Sequence, residues 1–389
     1  MDIDPPSADD SGPPPPPLPP PPAATPGHPH FPAHSGPRVW FLDDGLAPIS
    51  LALTRLLLAH GDAVVAGVVP GEYKGPRGEA FRAFVGEVGW KGGRKERFRA
   101  VALDARSVAL CQAAVAEALR IFGRVDIVLL CRSEALIGAV EEMGQDARAV
   151  TLVREQLETN FFGHVNLVRA CLPSMRARRS GHFVAVTGIT GHLGTPGLGM
   201  YCSSQWALEG FCDSLAYEIA PFNIKMTIVQ PNLEIQILTN KITAVPPLPP
   251  YAPDVNPAPL TRDIIAHLLD RLDDAQAEAP AEGPAEAESP PPAEQSSAGA
   301  QLRGPGAASL YAPLGAGLRE ELVAETVYAL AAIGGHENPP ARHIVSFEGV
   351  TSVKEKLKTV SEELEDFIEV SGAVDIARDA GEGGVGWGV

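Results

Sequence analysis

The chain has 389 residues, including 38 prolines and 39 glycines, and a formal net charge of −17. Such an acidic chain lacks the basic surface that nonspecific binding to nucleic acid or anionic membranes requires, so we expect neither partner.

The five cysteines show neither CxxC pairing nor metal-ligand spacing, which predicts reduced thiols and no metal site. No apolar run approaches ~20 residues and we recognise no signal peptide, so we expect a cytoplasmic protein.

Two segments have too little apolar character to form a core. Residues 1–37 are rich in proline, and "PPPPPLPPPP" at 13–22 predicts polyproline II structure. Residues 273–308 are a low-complexity mixture of alanine, glutamate and proline. We therefore expect a disordered tail over 1–37, one domain over 38–371 with a disordered insertion at 273–308, and a flexible tail over 372–389.

From residue 38 onward, apolar runs typical of strands alternate with longer helical patterns. The predicted strands are "RVWFL" (38–42), "AVVAGVV" (63–69), "FRAVAL" (98–103), "VDIVLLC" (125–131), "HFVAVTG" (182–188), "IKMTIVQP" (224–231) and "ARHIVSF" (341–347). The predicted helices are 49–61, with Gly61 as its stop, then 107–123, 154–181, 200–222, 319–333 and 350–370.

The predicted strands are continuously apolar, as strands buried on both faces are. Alternation of such strands with helices predicts the α/β class with a doubly wound parallel sheet. Ligands of these sheets bind at the carboxyl ends of the strands. We therefore expect residues 42–50, 130–134, 187–192 and 231–235 to meet in one cleft.

Several longer stretches make the pattern specific to a family. They include "GRVDIVLL", "QLETNFFGHVNLVRACLPSMRARRSGHFVAV", "GLGMYCSSQWALEGFCDSLAYEIAPFNIKMTIVQP" and "ENPPARHIV". With them, residues 38–245 and 318–371 resemble the short-chain dehydrogenase/reductase family, and most closely its retinol and 17β-hydroxysteroid dehydrogenase branch. The resemblance implies a Rossmann-like fold and hydride exchange between a nicotinamide cofactor, NAD(P), and a carbonyl or alcohol.

The resemblance also assigns four catalytic positions, two of which are altered here. Tyr201 matches the family's acid/base tyrosine and Asn160 its asparagine. The family's lysine position is Gln205, and its serine position is Gly188.

These two changes remove a charge and a hydroxyl. A lysine at position 205 would favour the phenolate of Tyr201, whereas Gln205 carries no charge. Gly188 has no hydroxyl to hold a substrate oxygen, and loss of one positioned donor costs ~10²–10³ in rate. Thr187 and Thr190 are candidates to supply that hydroxyl.

The cofactor turn is altered as well. The three glycines of the family's T-G-x-x-x-G-x-G turn fall on Asp44, Pro48 and Ser50. Pro48 removes an N–H, and Asp43 and Asp44 add negative charge where a diphosphate binds. Our interpretation is a strand-to-helix turn in which an aspartate caps the helix and Gly45 supplies flexibility.

Three further positions belong to the same cleft by resemblance. Asp104 matches the adenine-contacting aspartate of the family and fits equally well as the N-cap of the next helix. Asn232 replaces a glycine that touches the nicotinamide amide. Arg132 lies in "LCRS" (130–133), where the family has N-N-A-G, and we interpret it as a solvated arginine.

Together these changes favour a pseudoenzyme that binds no cofactor and acts as a binding or scaffold protein. One alternative is an NAD(P)-dependent oxidoreductase that acts on an apolar substrate through Tyr201, and another is a metabolite sensor. The proline tract at 13–22 suits a polyproline-recognising partner, the alternative being a solubilising tail. A homodimer through the helices near 154–178 and 200–220 is typical of the family.

Overall fold

The computed structural model describes residues 29–88, 94–252, 254–256, 261–278 and 297–368. Residues 1–28 of the predicted tail, residues 279–296 of the predicted insertion and the predicted C-terminal tail at 372–389 lie outside them.

The strands are β1 (Val39–Leu42), β2 (Ala63–Val68), β3 (Phe98–Ala102), β4 (Ile127–Leu130), β5 (Glu134–Ile137), β6 (Gly181–Val186), β7 (Ile224–Gln230), β8 (Lys241–Ala244), β9 (Ala308–Tyr311) and β10 (Arg342–Ile344). The helices are α1 (Pro48–His60), α2 (Pro70–Lys74), α3 (Glu79–Val88), α4 (Val108–Phe122), α5 (Ala147–Leu157), α6 (Gly163–Arg178), α7 (Gly199–Ile219), α8 (Leu233–Leu238), α9 (Thr261–Glu278), α10 (Ala298–Leu302), α11 (Ala316–Ile333) and α12 (Phe347–Asp366).

Seven of the described strands form one parallel sheet in the order β10-β7-β6-β4-β1-β2-β3. Every one of them was predicted, and the doubly wound α/β fold is confirmed. Gly61 ends α1 with a φ of 114°, a left-handed conformation that favours glycine, so the predicted helix stop is confirmed too.

The central strands of this sheet are buried on both faces, as their continuously apolar sequences predict, whereas the edge strand β3 is largely exposed. Phe41 and Phe183 face α4, α6 and α7 in one apolar layer. Trp40 and Val184, their neighbours in the same strands, face α1 and α11 in the other. Adjacent strand residues point to opposite faces, so both layers require apolar side chains.

A second, three-stranded sheet was not predicted from the sequence. In it β5 pairs in parallel with β8, and β8 pairs antiparallel with β9. Helix α10 and the start of β9 lie inside the segment predicted to be disordered, and α9 runs into its beginning. The range predicted to be disordered, 273–308, therefore extends too far at both ends, because helix residues occupy its beginning and helix and strand residues occupy its end.

The described N-terminal residues pack against the domain that we expected to begin at residue 38. Phe31 stacks on His60 with ring centroids 3.6 Å apart.

No helix among the described residues combines the length and apolar character that crossing a bilayer requires.

Candidate functional site

The four segments predicted to converge do meet at the carboxyl edge of the central sheet. Asp43 N donates to Leu129 O at 3.1 Å, which joins the segments that follow β1 and β4. Ile189 N donates to Pro231 O at 3.1 Å, which joins those that follow β6 and β7. This edge is the candidate site.

In the turn between β1 and α1, the backbone N–H groups already donate to acceptors within the protein. Gly45 N donates to Gly67 O at 2.7 Å, Leu46 N to Asp44 Oδ1 at 3.2 Å and Ala47 N to Asp44 O at 3.2 Å. Pro48, the next residue, has no N–H. Residues 45–48 thus present no free N–H group to a ligand.

Two details of our interpretation of this turn are wrong. The residue before α1 is Ala47, and no side chain caps the helix, so neither Asp43 nor Asp44 is its cap. Gly45 is required by close packing, since a Cβ there would lie 2.8 Å from the Cβ of Ala66.

Asp43 fastens the turn to the end of β4. Its carboxylate accepts hydrogen bonds from Cys131 N at 2.9 Å and Arg132 N at 3.3 Å, and His164 Nε2 lies 3.1 Å away. Burial alone would raise the pKa of Asp43, but His164 and the two amides outweigh it and lower that pKa. Ser50 Oγ, on the first turn of α1, lies 3.1 Å from Cys131 Sγ.

Asp44 belongs to a network of charged side chains at the same edge. Its Oδ2 lies 2.5 Å from Arg77 and 3.4 Å from Arg132. Arg132 also pairs with Glu72 at 2.6 Å and with Glu134 at 3.2 Å, and Glu72 pairs with Arg77 as well. We call these five residues the ion network.

The prediction that Arg132 is solvated is therefore wrong. Its side chain is 8% exposed because Asp44, Glu72 and Glu134 surround it. Burial would lower the pKa of Arg132, but the three carboxylates raise it well above its usual value. Burial would likewise raise the pKa of Glu72, yet Arg132 and Arg77 lower it to about 2. Glu72 and Arg132 are therefore both charged at neutral pH.

The aligned catalytic tyrosine is deeply buried. Tyr201 and Gln205 lie one turn apart on α7, and both are inaccessible to solvent or nearly so. Burial raises the pKa of Tyr201 well above its usual value. The hydroxyls of Ser133 and Thr190 stand beside the phenol and oppose that rise, although none of the three hydroxyls makes a hydrogen bond of normal geometry.

The lost serine position is also constrained by the backbone. Gly188 has a φ of 85°, and a Cβ on it would lie 3.0 Å from Gln236 Cγ. Thr187 Oγ1 already donates to Glu209 at 2.7 Å, so it does not face the phenol. Of the two candidate threonines, Thr190 is the one beside Tyr201.

Asn160 lies in a π-helical segment, Glu158–Phe162, that interrupts the predicted long helix between α5 and α6. Its Oδ1 accepts from Glu134 N at 2.8 Å, and its Nδ2 donates to Glu134 O and to Ser204 Oγ, each at 3.0 Å. Single π turns often mark functional sites. Here the asparagine holds the turn against β5.

The remaining two predicted positions have other protein partners. Asp104 pairs with Arg106 at 2.7 Å, whereas Ser107 caps α4, so Asp104 is not the N-cap. The hydrogen bond and charge of Arg106 lower the pKa of Asp104 despite its partial burial. Asn232 Oδ1 accepts a hydrogen bond from Ser346 Oγ at 2.8 Å.

Glu72, Arg77 and His164 were not predicted, and Ser133 was noted only as part of "LCRS" (130–133). A signal existed for the first two, because "PGEYKGPR" directly follows the carboxyl end of β2 and so enters the cleft. His164 falls four residues after Asn160 and thus on the same helix face.

Comparison with known proteins gives a family match and a fold match. The family model described as short chain dehydrogenase matches residues 49–239. A crystal structure of a short-chain dehydrogenase from Streptomyces avermitilis has a TM-score of 0.60 and 24% identity, covering 88% of this chain and 100% of that one.

Two curated relatives match shorter stretches. "Oxidoreductase BOA17" of Botryotinia fuckeliana is 33% identical over 50% of this chain, and human "17-beta-hydroxysteroid dehydrogenase type 1" is 35% identical over 33% of it. The matched stretches span 65% and 36% of the length of those relatives.

Proposed function

The chain belongs to the short-chain dehydrogenase/reductase family, and from that premise we propose that it is a non-catalytic member acting as a binding or scaffold protein. The observation that carries the proposal is the position of Asp44. Asp44, which the resemblance aligns with the first glycine of the family's phosphate turn, accepts hydrogen bonds from Leu46 N and Ala47 N and pairs with Arg77 and Arg132.

These residues do not fit the diphosphate of a nicotinamide dinucleotide. A diphosphate needs free N–H groups at the turn, and residues 45–48 have none to offer. Two buried carboxylates, Asp43 and Asp44, would face it with the same sign of charge. The positive end of the α1 dipole remains, since no side chain caps the helix, but residues 45–48 add no free donor to it.

Opening the ion network to admit a diphosphate has a considerable cost. Separating one partner of a buried ion pair costs roughly 3–5 kcal/mol, and each 1.4 kcal/mol corresponds to a factor of about ten in Kd. Arg77 and Arg132 could contact the phosphates, but they would first have to leave Asp44 and Glu72. We therefore expect the affinity for NAD(P) to fall at least about a hundredfold.

The aligned catalytic groups support the same proposal. A proton-transferring tyrosine needs a pKa near the working pH, and burial moves the pKa of Tyr201 in the opposite direction. Gln205 carries no charge to reverse that shift. A phenol in this setting is a poor proton donor and acceptor at neutral pH.

Calorimetric titration of the full chain with NADH and NADPH tests the proposal. We expect no binding up to millimolar cofactor for the native protein. The matched variant Asp44→Gly with Pro48→Gly restores two family residues, and we expect it to gain affinity. Submillimolar binding to the native chain contradicts the proposal. Such binding without turnover indicates a sensor, and binding with turnover indicates an enzyme.

One observation favours the oxidoreductase alternative. The hydroxyls of Tyr201, Ser133 and Thr190 cluster without hydrogen-bond partners, and unpaired buried hydroxyls are suited to holding a substrate oxygen. If this alternative holds, apolar ketones or alcohols are converted in the presence of NAD(P)H or NAD(P)+. Tyr201→Phe then abolishes turnover.

The proposed scaffold role has two binding surfaces. The proline tract at 13–22, outside the described residues, suits SH3, WW or EVH1 domains or profilin. Titration of the full chain with such domains, against a variant with alanines in the tract, tests this partner class. Equal binding of these domains by the native chain and by the alanine variant would exclude the tract as their binding site.

The second surface is a homodimer face near α6 and α7. Phe162, Trp206 and Tyr217 are 48%, 53% and 84% exposed there. Light scattering should give a dimer mass for the native chain and a monomer mass for Trp206→Glu. A native monomer contradicts this part of the proposal.

A further inference from the structure

Two histidines and an aspartate meet at the amino edge of the central sheet, opposite the candidate site. His34 lies in the described N-terminal segment, His60 ends α1, and Asp62 precedes β2. Their potential ligand atoms all lie within 4.8 Å of one another, and His34 Nε2 is 2.9 Å from His60 Nε2.

The two imidazole rings are held in defined orientations. His34 Nδ1 donates to Gly36 O at 2.6 Å, which leaves the Nε2 lone pair of a neutral His34 facing His60. Metal-binding histidines are usually oriented by such a bond from the other ring nitrogen. Phe31 stacks on the His60 ring at an angle of 7°, and both imidazoles are exposed, so an ion could reach them.

The charged neighbours determine which ions suit this cluster. The Asp62 carboxylate is buried and accepts from Arg38 N at 2.9 Å and from the Arg38 guanidinium at 2.6 Å. Arg97 lies close as well and donates to Asp62 O at 3.0 Å. Because Arg38 already bonds to both carboxylate oxygens of Asp62, the cluster lacks the free charged oxygen ligands on which ions such as Mg²⁺ depend. The imidazole nitrogens instead suit zinc, nickel and copper.

We propose that His34 and His60, assisted by Asp62, bind a divalent transition metal ion of the zinc class. Tetrahedral Zn–N bonds of 2.0–2.1 Å place two nitrogens about 3.3 Å apart, so the rings need to separate by only a few tenths of an ångström. The bound ion replaces the contact between the two imidazoles and fastens residues 29–36 to the end of α1. This proposal does not depend on the state of the cofactor cleft.

The test is calorimetric titration of metal-free full-length protein with ZnCl₂, and with MgCl₂ for comparison. We expect one zinc ion per chain with a Kd in the micromolar range or below, and no binding of magnesium. The double variant His34→Ala, His60→Ala should lose at least tenfold in affinity. The matched control His336→Ala removes another exposed histidine near this edge and should bind like the native chain.

Unfolding in urea provides a readout that does not rely on heats of binding. Zinc should raise the midpoint of the native chain, because a ligand of the folded state stabilises it by mass action, and EDTA should reverse the change. The double variant should keep the metal-free midpoint and no longer respond to zinc. Absence of zinc binding by the native chain, or equal binding by the double variant, overturns the proposal.

Discussion

Asp44 and Arg77 form an ion pair of 2.5 Å between the turn that follows β1 and the segment that follows α2. The side chains are 2% and 9% exposed. A carboxylate thus stands where the sequence resemblance predicts the family's first phosphate-turn glycine, and the charge that balances it comes from the chain itself.

Asp44→Asn should strongly destabilise the protein. The substitution leaves Arg77 and Arg132 buried with one carboxylate fewer, and breaking a buried pair costs roughly 3–5 kcal/mol. Asp104→Asn, which breaks the half-exposed pair with Arg106, should cost less than about 1 kcal/mol. Urea midpoints of the two variants measure the difference, and equal midpoints contradict a structural role for the ion network.

The protein should lose stability as the pH falls from about 4.5 toward 2. Despite partial burial, Arg132 and Arg77 lower the pKa of Glu72 from 4.5 to about 2, so its stabilising effect is complete only above the higher value. Protonation of Glu72 in the folded protein, as the pH falls toward about 2, then removes this stabilisation. Urea midpoints at stepped pH should fall more steeply for the native chain than for Glu72→Gln. Parallel curves would exclude a contribution from Glu72.

Tyr201→Phe should leave the free energy of unfolding within about 1 kcal/mol of the native value, or raise it. The lost hydroxyl has no hydrogen-bond partner, so its removal relieves a desolvated group. Asn160→Ala is the contrasting variant, since it removes three hydrogen bonds from a fully buried site. We expect it to cost at least about 2 kcal/mol. A large loss in the free energy of unfolding for Tyr201→Phe would show that the phenol has a hydrogen-bond partner.

Gln205→Lys combined with Gly188→Ser should not produce a reductase, although it restores the family's lysine and serine. The phosphate turn remains closed by Asp44. Serine at 188 must also adopt a φ of 85° with a ψ of 166°, a combination essentially confined to glycine, close to Gln236, which costs roughly 1–3 kcal/mol. Assays with NADPH and apolar ketones check the outcome. Measurable turnover would show that the turn is a lesser obstacle than its geometry indicates.

The large sheet could be predicted because its strands are continuous apolar runs, and a run such as "VDIVLLC" has few alternatives to a buried strand. The strands β5, β8 and β9 were missed since each has four residues without clear periodicity. They are defined by pairing with one another, which appears only in the folded chain.

The candidate site could be predicted only as far as single positions allow. Tyr201, Gln205 and Gly188 were identified because the resemblance to the family assigns its catalytic positions within one stretch of chain. Arg132 was misjudged because Glu72 and Asp44, which bury it, lie 60 and 88 residues away in the sequence. The histidine cluster likewise needs the fold to bring His34 and His60 together.

A crystal structure of the full chain grown with millimolar NADPH is the most direct measurement of whether the turn after β1 can hold a dinucleotide. We expect the Asp44–Arg77 pair to be intact and no cofactor density over residues 44–50. An ordered NADPH whose diphosphate lies against that turn, with Arg77 withdrawn from Asp44, would contradict the proposed loss of cofactor binding.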